Sequence, residues 1–267
     1  YRISQENLEE YYAEVCRENM ETLAEPSTQD LSLPADSTPA NMTYGSMGGF
    51  YTLSEIEAAL DSMHDQYPDL VTPKASIGTT HEGRSIWMVK ISDNVGTDEA
   101  EPECLIDGLH HAREPGTYTA ILYAMWYLLE NYAEDPECKY LVDNREMYFV
   151  PVVNPDGLRY NEQISPNGGG MWRKNRRDNG DGSFGVDLNR NYPYKWGYDN
   201  SGSSYNTSST TYRGPDPASE PEVQAMINFT NGRSFVTALT FHSSGGYYLY
   251  PYGYSAGAPI EHEDVLH

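Results

Sequence analysis

The chain has 267 residues, 38% of them hydrophobic, and a formal net charge of −23. Its length suits one large α/β domain or two small ones, and its apolar fraction is that of a globular protein. The charge excludes nucleic acids and anionic membranes as partners, because a surface of this sign repels phosphate; nor is there a run of about 18 apolar residues that would cross a membrane.

Acidity identifies no substrate, and its plain meaning is solubility. Cys16, Cys104 and Cys138 are odd in number and widely spaced, which is neither a disulfide framework nor a CxxC metal site. Cys104 lies in an apolar run and is expected as a buried thiol; one cysteine pair stays open. The chain opens on Tyr1 and carries no signal peptide, so it reads as a processed form or a piece of a longer chain. Its richness in Tyr, Ser, Asn and Gly points to a secreted, extracellular protein, expected to be a monomer.

In chain order, residues 1–25 read as a polar, acidic helix and residues 26–41 as a Pro-, Ser- and Thr-containing linker. That order is expected of a propeptide tail and hence a zymogen; a plain N-terminal extension is the alternative. The main domain is expected over residues 42–267. Thr52 and Glu55 form a capping-box signature, and Leu53, Ile56, Leu60 and Met63 follow at helical spacing, up to Tyr67-Pro68. Strands are predicted over residues 71–77, 85–91 and 104–109. Pro115 suits the first turn of a helix whose apolar face is Ile121, Met125, Leu128 and Tyr132. A strand is predicted at 148–153, a long Gly/Asn-rich loop at 154–185, a helix at 219–231 and a strand at 235–241. Alternating strands and helices predict an α/β fold, with helices on both faces of a mixed, largely parallel central sheet.

Chemistry-bearing residues stand at the ends of two of these strands. The run at 104–109 leads into His110-His111-Ala112-Arg113-Glu114-Pro115, and the strand at 235–241 leads into His242. Ligands at the carboxyl ends of sheet strands lie where α/β folds build their sites. A His-x-x-Glu turn can aim an imidazole and a carboxylate at one ion, and two histidines with one glutamate leave zinc a fourth position for water. Taken alone, the His-x-x-Glu pattern is common on surfaces, and His110 and His111 are rivals. The segment 171–177 (MWRKNRR) concentrates four cationic side chains in a chain with only 17 lysines and arginines. By itself it is equally a solvated basic patch. Asn189-Arg190 can hold a free carboxylate with forked hydrogen bonds, or cap a loop.

Together these segments are far more specific. The stretches HHAREP, VVNPDG, MWRKNRR, GVDLNRN, TYRGPDPASEPE, FHS and YLYPYGY, in this order, resemble the zinc carboxypeptidases of the A, B and T types. The resemblance runs from about Tyr51 to Tyr254, and the stretch 91–98 is most similar to the bacterial T branch. It implies a zinc-dependent exopeptidase with a carboxypeptidase-like fold, acting on the C-termini of peptides or proteins. His111, Glu114 and His242 would bind Zn2+, with His111 favoured over His110 by the family pattern. Arg173 would stabilise the developing oxyanion, Asn189 and Arg190 would grip the substrate carboxylate, Arg113 would line the outer subsites or meet the incoming carboxylate, and Asp187 would support a ligand histidine. The acidic segment 98–103, with Asp98, Glu99, Glu101 and Glu103 and joined by Glu146, resembles a Ca2+-binding loop; a solvated acidic loop is the alternative. His64, His81, His262 and His267 match no metal position and read as surface residues.

The resemblance also carries departures. Ser244 stands where relatives often have a tyrosine, which makes the subsite wall smaller. The family's general-base glutamate and mobile tyrosine lie well after the last zinc histidine, whereas this chain ends 25 residues past His242, with Glu261 and Glu263 too early for that base. The C-terminal part of the domain is therefore expected to be missing, the sheet to keep an open edge, and the chain to be inactive alone. Three readings stay beside the exopeptidase: a same-fold hydrolase of cell-wall peptides, a zinc- and carboxylate-binding module without activity, and a structural zinc protein, disfavoured because only three ligands are visible.

Overall fold

The computed structural model describes residues 38–243, 247–249 and 253–254. The helix and most of the linker expected at residues 1–41 lie outside these, as do Cys16, Ser244, Glu261, Glu263, His262 and His267. The end of the linker is tied down: the Ala40 and Asn41 amides both donate to the Glu130 carboxylate, at 2.5 and 2.8 Å.

Helix α1, Leu53–Gln66, begins with the capping box its sequence announces. The Thr52 side chain accepts from the Glu55 amide while Glu55 reaches back to the Thr52 amide, satisfying two donors that a helix start leaves open. Leu53, Ile56, Leu60 and Met63 form its buried stripe. Strand β1 spans Ala75–Thr79, β2 Ser85–Ile91 and β3 Glu103–Gly108. The predicted strand at 71–77 is thus displaced towards the turn; Val71 keeps only an isolated bridge to Ile91. Helix α2, Gly116–Asn131, follows Pro115, and two further helices are α3, Pro136–Asp143, and α4, Pro155–Ile164. The long loop read at 154–185 is therefore a helix followed by a shorter loop. Strand β4 is Glu146–Val150, helix α5 is Pro221–Asn231 and strand β5 is Phe235–Phe241.

The sheet runs β1-β2-β4-β3-β5. β1-β2 and β2-β4 are antiparallel, while β3 pairs in parallel with both β4 and β5. β4 is buried along its whole length, and its side chains alternate between the two sides of the sheet. Met147 and Phe149 join a core with α1 and α2, and Val150 joins a second with Val223 and Met226 of α5. Helices thus cover both faces, as an α/β sheet requires. No helix among the described residues is long and apolar enough to cross a membrane. Cys104 is half-buried, Cys138 is buried, and neither is in a disulfide among the described residues.

β3 and β5 are neighbours in register, with Gly108 beside Phe241. Their carboxyl ends therefore deliver the residues after Gly108 and after Phe241 to one place.

Candidate metal centre

Beyond β3 the backbone turns sharply. Leu109 is fully buried and holds a positive φ of 54°, a conformation an L-residue adopts only when its surroundings impose it. The Leu109 amide is taken by Thr117 Oγ1, and the same hydroxyl donates to the Glu114 carbonyl. The turn at 110–114 is thus locked onto the first turn of α2.

His111, Glu114 and His242 come together there, with one donor atom from each within 4.8 Å of the others. His111 Nδ1 lies 2.8 Å from Glu114 Oε1, and His242 Nδ1 lies 2.9 Å from Glu114 Oε2. Two ring nitrogens and a carboxylate face a common point, His111 and Glu114 from buried positions and His242 from a more open one. The donor types are those of an open zinc site, and a ring nitrogen can turn its lone pair to an ion in place of sharing a proton with the carboxylate. Burial pushes the Glu114 carboxyl up, but hydrogen bonds from the two imidazoles outweigh it and hold the group well below the usual carboxylate range. The side chain is therefore ready as an anion. In the same way burial lowers His111, and the bonds to Asp187 and Glu114 reverse that and raise it.

His110 faces elsewhere. Its Nε2 is 2.8 Å from the Tyr192 hydroxyl and its Nδ1 is 3.5 Å from Asp107 Oδ1. Complete burial, followed by the charges of His242 and His111, pushes it down to about 3, so it is a neutral ring.

Asp187 links the centre to the cationic loop. Its Oδ1 is 3.3 Å from His111 Nε2, while its Oδ2 accepts from Arg173 Nε and Nη2 at 3.0 and 2.8 Å. Burial would raise its pKa, but His111 and Arg173 bring it down to about 2. Asp187 also caps the short 3-10 helix Leu188–Arg190 through the Asn189 amide. That cap places Asn189 Nδ2 3.3 Å from His242 Nε2. Arg190 is anchored by the Gly202 and Asn189 carbonyls, at 2.6 and 3.0 Å. Arg113 lines a small cavity with Met47, Phe50 and Asn161.

Asn161, which carries no signal of its own in the sequence, and Asn154, from the VVNPDG stretch, hold these loops. Asn161, on α4, donates to both the Ala112 and Trp172 carbonyls at 2.9 Å and accepts from the Trp172 amide. Asn154 donates to the His110 carbonyl and caps α4 through the Gly157 amide. The Asn154-Pro155 pair, a cap residue before a proline at the first helical position, was the available sign of that helix.

The acidic segment divides. Asp98, Glu103 and Glu146 converge, but the chain supplies their cations: Lys90 Nζ is 2.7 Å from Glu146, and Arg233 is 3.3 and 3.4 Å from Asp98 and Glu103. Glu99 and Glu101 instead group with Asp93. Burial raises the pKa of Glu101, helped by the charges of Glu99 and Asp93, and its Oε2 is buried without a hydrogen-bond partner among the described residues.

The sequence matches the profile of the zinc carboxypeptidase family over residues 56–267. It is 34% identical to carboxypeptidase A1 of Sus scrofa over 81% of this chain and 50% of the relative. It is 35% identical to a zinc carboxypeptidase of Saccharothrix mutabilis subsp. capreolus, over 72% of this chain and 41% of the relative. Among solved structures, carboxypeptidase A from Helicoverpa armigera superposes with a TM-score of 0.76 at 28% identity, over all of this chain and 60% of that one. The chain spans about half the length of the curated relatives it matches, with shares of 50, 46 and 41%. With a profile match over most of its length and relatives above 30% identity, the chain belongs to the zinc carboxypeptidase family.

Proposed function

We propose that the protein hydrolyses the C-terminal peptide bond of peptides that end in a free carboxylate, with zinc held by His111, Glu114 and His242. The observation that carries this reading is the junction of two features: the ends of β3 and β5 bring the three donors together, and Asn189 sits 3.3 Å from one of them. Zinc in such a site acts as a Lewis acid and activates water. Asn189 and Arg190 take the terminal carboxylate, and Arg173, kept in place by Asp187, stabilises negative charge on the scissile carbonyl oxygen. A group of this size held at both its carboxylate and its carbonyl has few orientations left, which is the entropic part of catalysis.

Elemental analysis after dialysis is expected to find zinc, and His242→Ala is expected to lose the ion of this centre. Arg190→Met is expected to weaken binding of a free peptide by about 2 kcal/mol, the low end of what an unpartnered charge costs, because this arginine is half-buried. Equal binding of free and C-terminally amidated peptides to the unaltered protein would overturn the exopeptidase reading and favour the hydrolase of cell-wall peptides.

The proposal includes a calcium ion on the acidic segment. Its support is the grouping of Asp93, Glu99 and Glu101, together with a Glu101 oxygen that is buried without a hydrogen-bond partner among the described residues; oxygen-only donors suit a hard cation. Calcium is expected to raise the melting temperature by binding the folded state, and Glu101→Gln to abolish most of that rise. An unchanged melting temperature in calcium would leave the segment as solvated charge.

A further inference from the structure

Away from the proposed catalytic centre, the turn between β1 and β2 meets the start of α5. His81 in that turn, Glu220 at the helix cap and Glu222 in the first helical turn offer donor atoms within 4.8 Å of one another. None of the three has a part in the reading given above.

Glu220 and Glu222 are fully buried. Two carboxylates this deep need a cation or a proton, since a buried unpaired charge is strongly disfavoured. The neighbouring groups supply only part of the need. Glu220 Oε1 accepts from Arg177 Nη1 at 3.0 Å and from the Ser219 hydroxyl at 2.7 Å. Glu220 Oε2 faces His81 Nε2 at 2.9 Å and accepts from Asn175 Nδ2 at 2.7 Å. The Glu222 side chain accepts from Asn175 at Oε2 at 3.1 Å, and among the described residues its Oε1 is buried with no hydrogen-bond partner. Arg177 is thus the one permanent cation bonded to this pair among the described residues. Burial accordingly pushes the Glu222 carboxyl up to about 7, and the hydrogen bond to Glu220 raises His81 despite its own burial.

We propose that His81, Glu220 and Glu222 form a second metal site, for zinc or a similar divalent transition ion. One imidazole nitrogen and two carboxylate oxygens are the donor set that borderline cations prefer, whereas calcium would ask for more oxygens. The ion takes the place of the proton shared by His81 and Glu220 and supplies positive charge to the two buried carboxylates. Arg177 stays on the opposite oxygen of Glu220, and Asn175 orients both carboxylates as ligand-supporting hydrogen bonds do. The His81 side chain is 29% exposed, which leaves water a way to the open positions of the ion. Because the site joins the β1–β2 turn to α5, an ion there staples an edge hairpin to a helix of the second core.

The test is zinc stoichiometry on the metal-free chain, in calcium-saturated buffer. Two ions per chain are expected for the unaltered protein, one for His81→Ala, one for Glu222→Gln and one for His242→Ala. Zinc is also expected to raise the melting temperature of His242→Ala, in which the remaining site is the one proposed here, and to leave the double variant with His81→Ala unmoved. A single ion in the unaltered protein that His242→Ala removes, or two ions retained by both His81→Ala and Glu222→Gln, would overturn the proposal. Circular dichroism shows whether each variant is folded. His81→Gln, which keeps the turn's polarity and size, is expected to bind one ion as His81→Ala does.

Discussion

Asp187 is the residue on which the two halves of the candidate centre depend. One of its oxygens faces His111 and the other holds the Arg173 guanidinium, so loss of its charge frees both. Asp187→Asn is expected to weaken zinc binding about 10–100-fold, the usual effect of removing a group that supports a ligand histidine. Competition with a chelator measures it; an affinity unchanged within twofold would show that His111 is oriented by its turn alone. At this scale the sequence was informative where chemistry is local. His111 and Glu114 are three residues apart on one turn, so their pairing is legible from spacing. Which of two adjacent histidines turns towards the carboxylate is decided by Tyr192, which lies 82 positions away and bonds to His110. The His81 cluster was missed for the same reason, since its members are 139 positions apart along the chain and meet only through the packing of α5.

At the scale of elements, the pair Lys90–Glu146 ties β2 to β4 inside the sheet. The lysine is 6% exposed and the glutamate fully buried. Burial alone would raise the Glu146 pKa, but the Lys90 hydrogen bond, the Glu99 amide and the Tyr148 hydroxyl together lower it. A carboxyl whose pKa is lowered by folding adds stability above its unfolded pKa and loses it as pH falls through the folded value. Stability is therefore expected to decline below about pH 4, the unfolded glutamate range. Lys90→Met is expected to cost about 3–5 kcal/mol in urea unfolding at neutral pH, because it strands a buried carboxylate. Adding Glu146→Gln to that variant is expected to recover part of the loss; a double variant less stable than Lys90→Met would contradict the argument. Elements with strong local signals were legible: the capping box opens α1 and alternating strands mark β2 and β5. Helices α3 and α4 were not, because their polar, short sequences resemble loops. Their starts, Asp135-Pro136 and Asn154-Pro155, are nonetheless sound helix signals.

The whole molecule carries 40 acidic and 17 basic side chains. Such an excess repels itself in the compact state. Raising the salt from low ionic strength to about 0.15 M, where the screening length is about 8 Å, is expected to raise the melting temperature. A falling melting temperature would mean that attractive pairs such as Arg84 with Asp156 and Arg177 with Glu220 outweigh the general repulsion. Repulsion is also uneven, since the arginines of the 171–177 segment are drawn inward to Asp187, Glu220 and the Tyr160 and Trp172 rings. The basic segment is therefore not simply a solvated patch, since its arginines are held by buried carboxylates and aromatic rings. At the other margin of the sheet, β5 leaves Val236 and Leu239 68% and 51% exposed.

Sequence by itself determined the family, the α/β class, the order of most elements and the residue types proposed for the zinc and carboxylate sites, because each of these is written in local spacing and in ordered short motifs. Tertiary structure decided what depends on distant segments meeting. It set β3 beside β5, so that His242 reaches Glu114 across 128 positions. It gave Lys90 and Arg233 to the carboxylates expected to hold calcium and moved the acidic grouping to Asp93, Glu99 and Glu101. It also buried Glu220 and Glu222 under an imidazole that the sequence presents as a surface residue. A carboxylate's partner, whether lysine, proton or metal ion, is chosen by what lies within a few ångströms, and that neighbourhood exists only once the chain is folded.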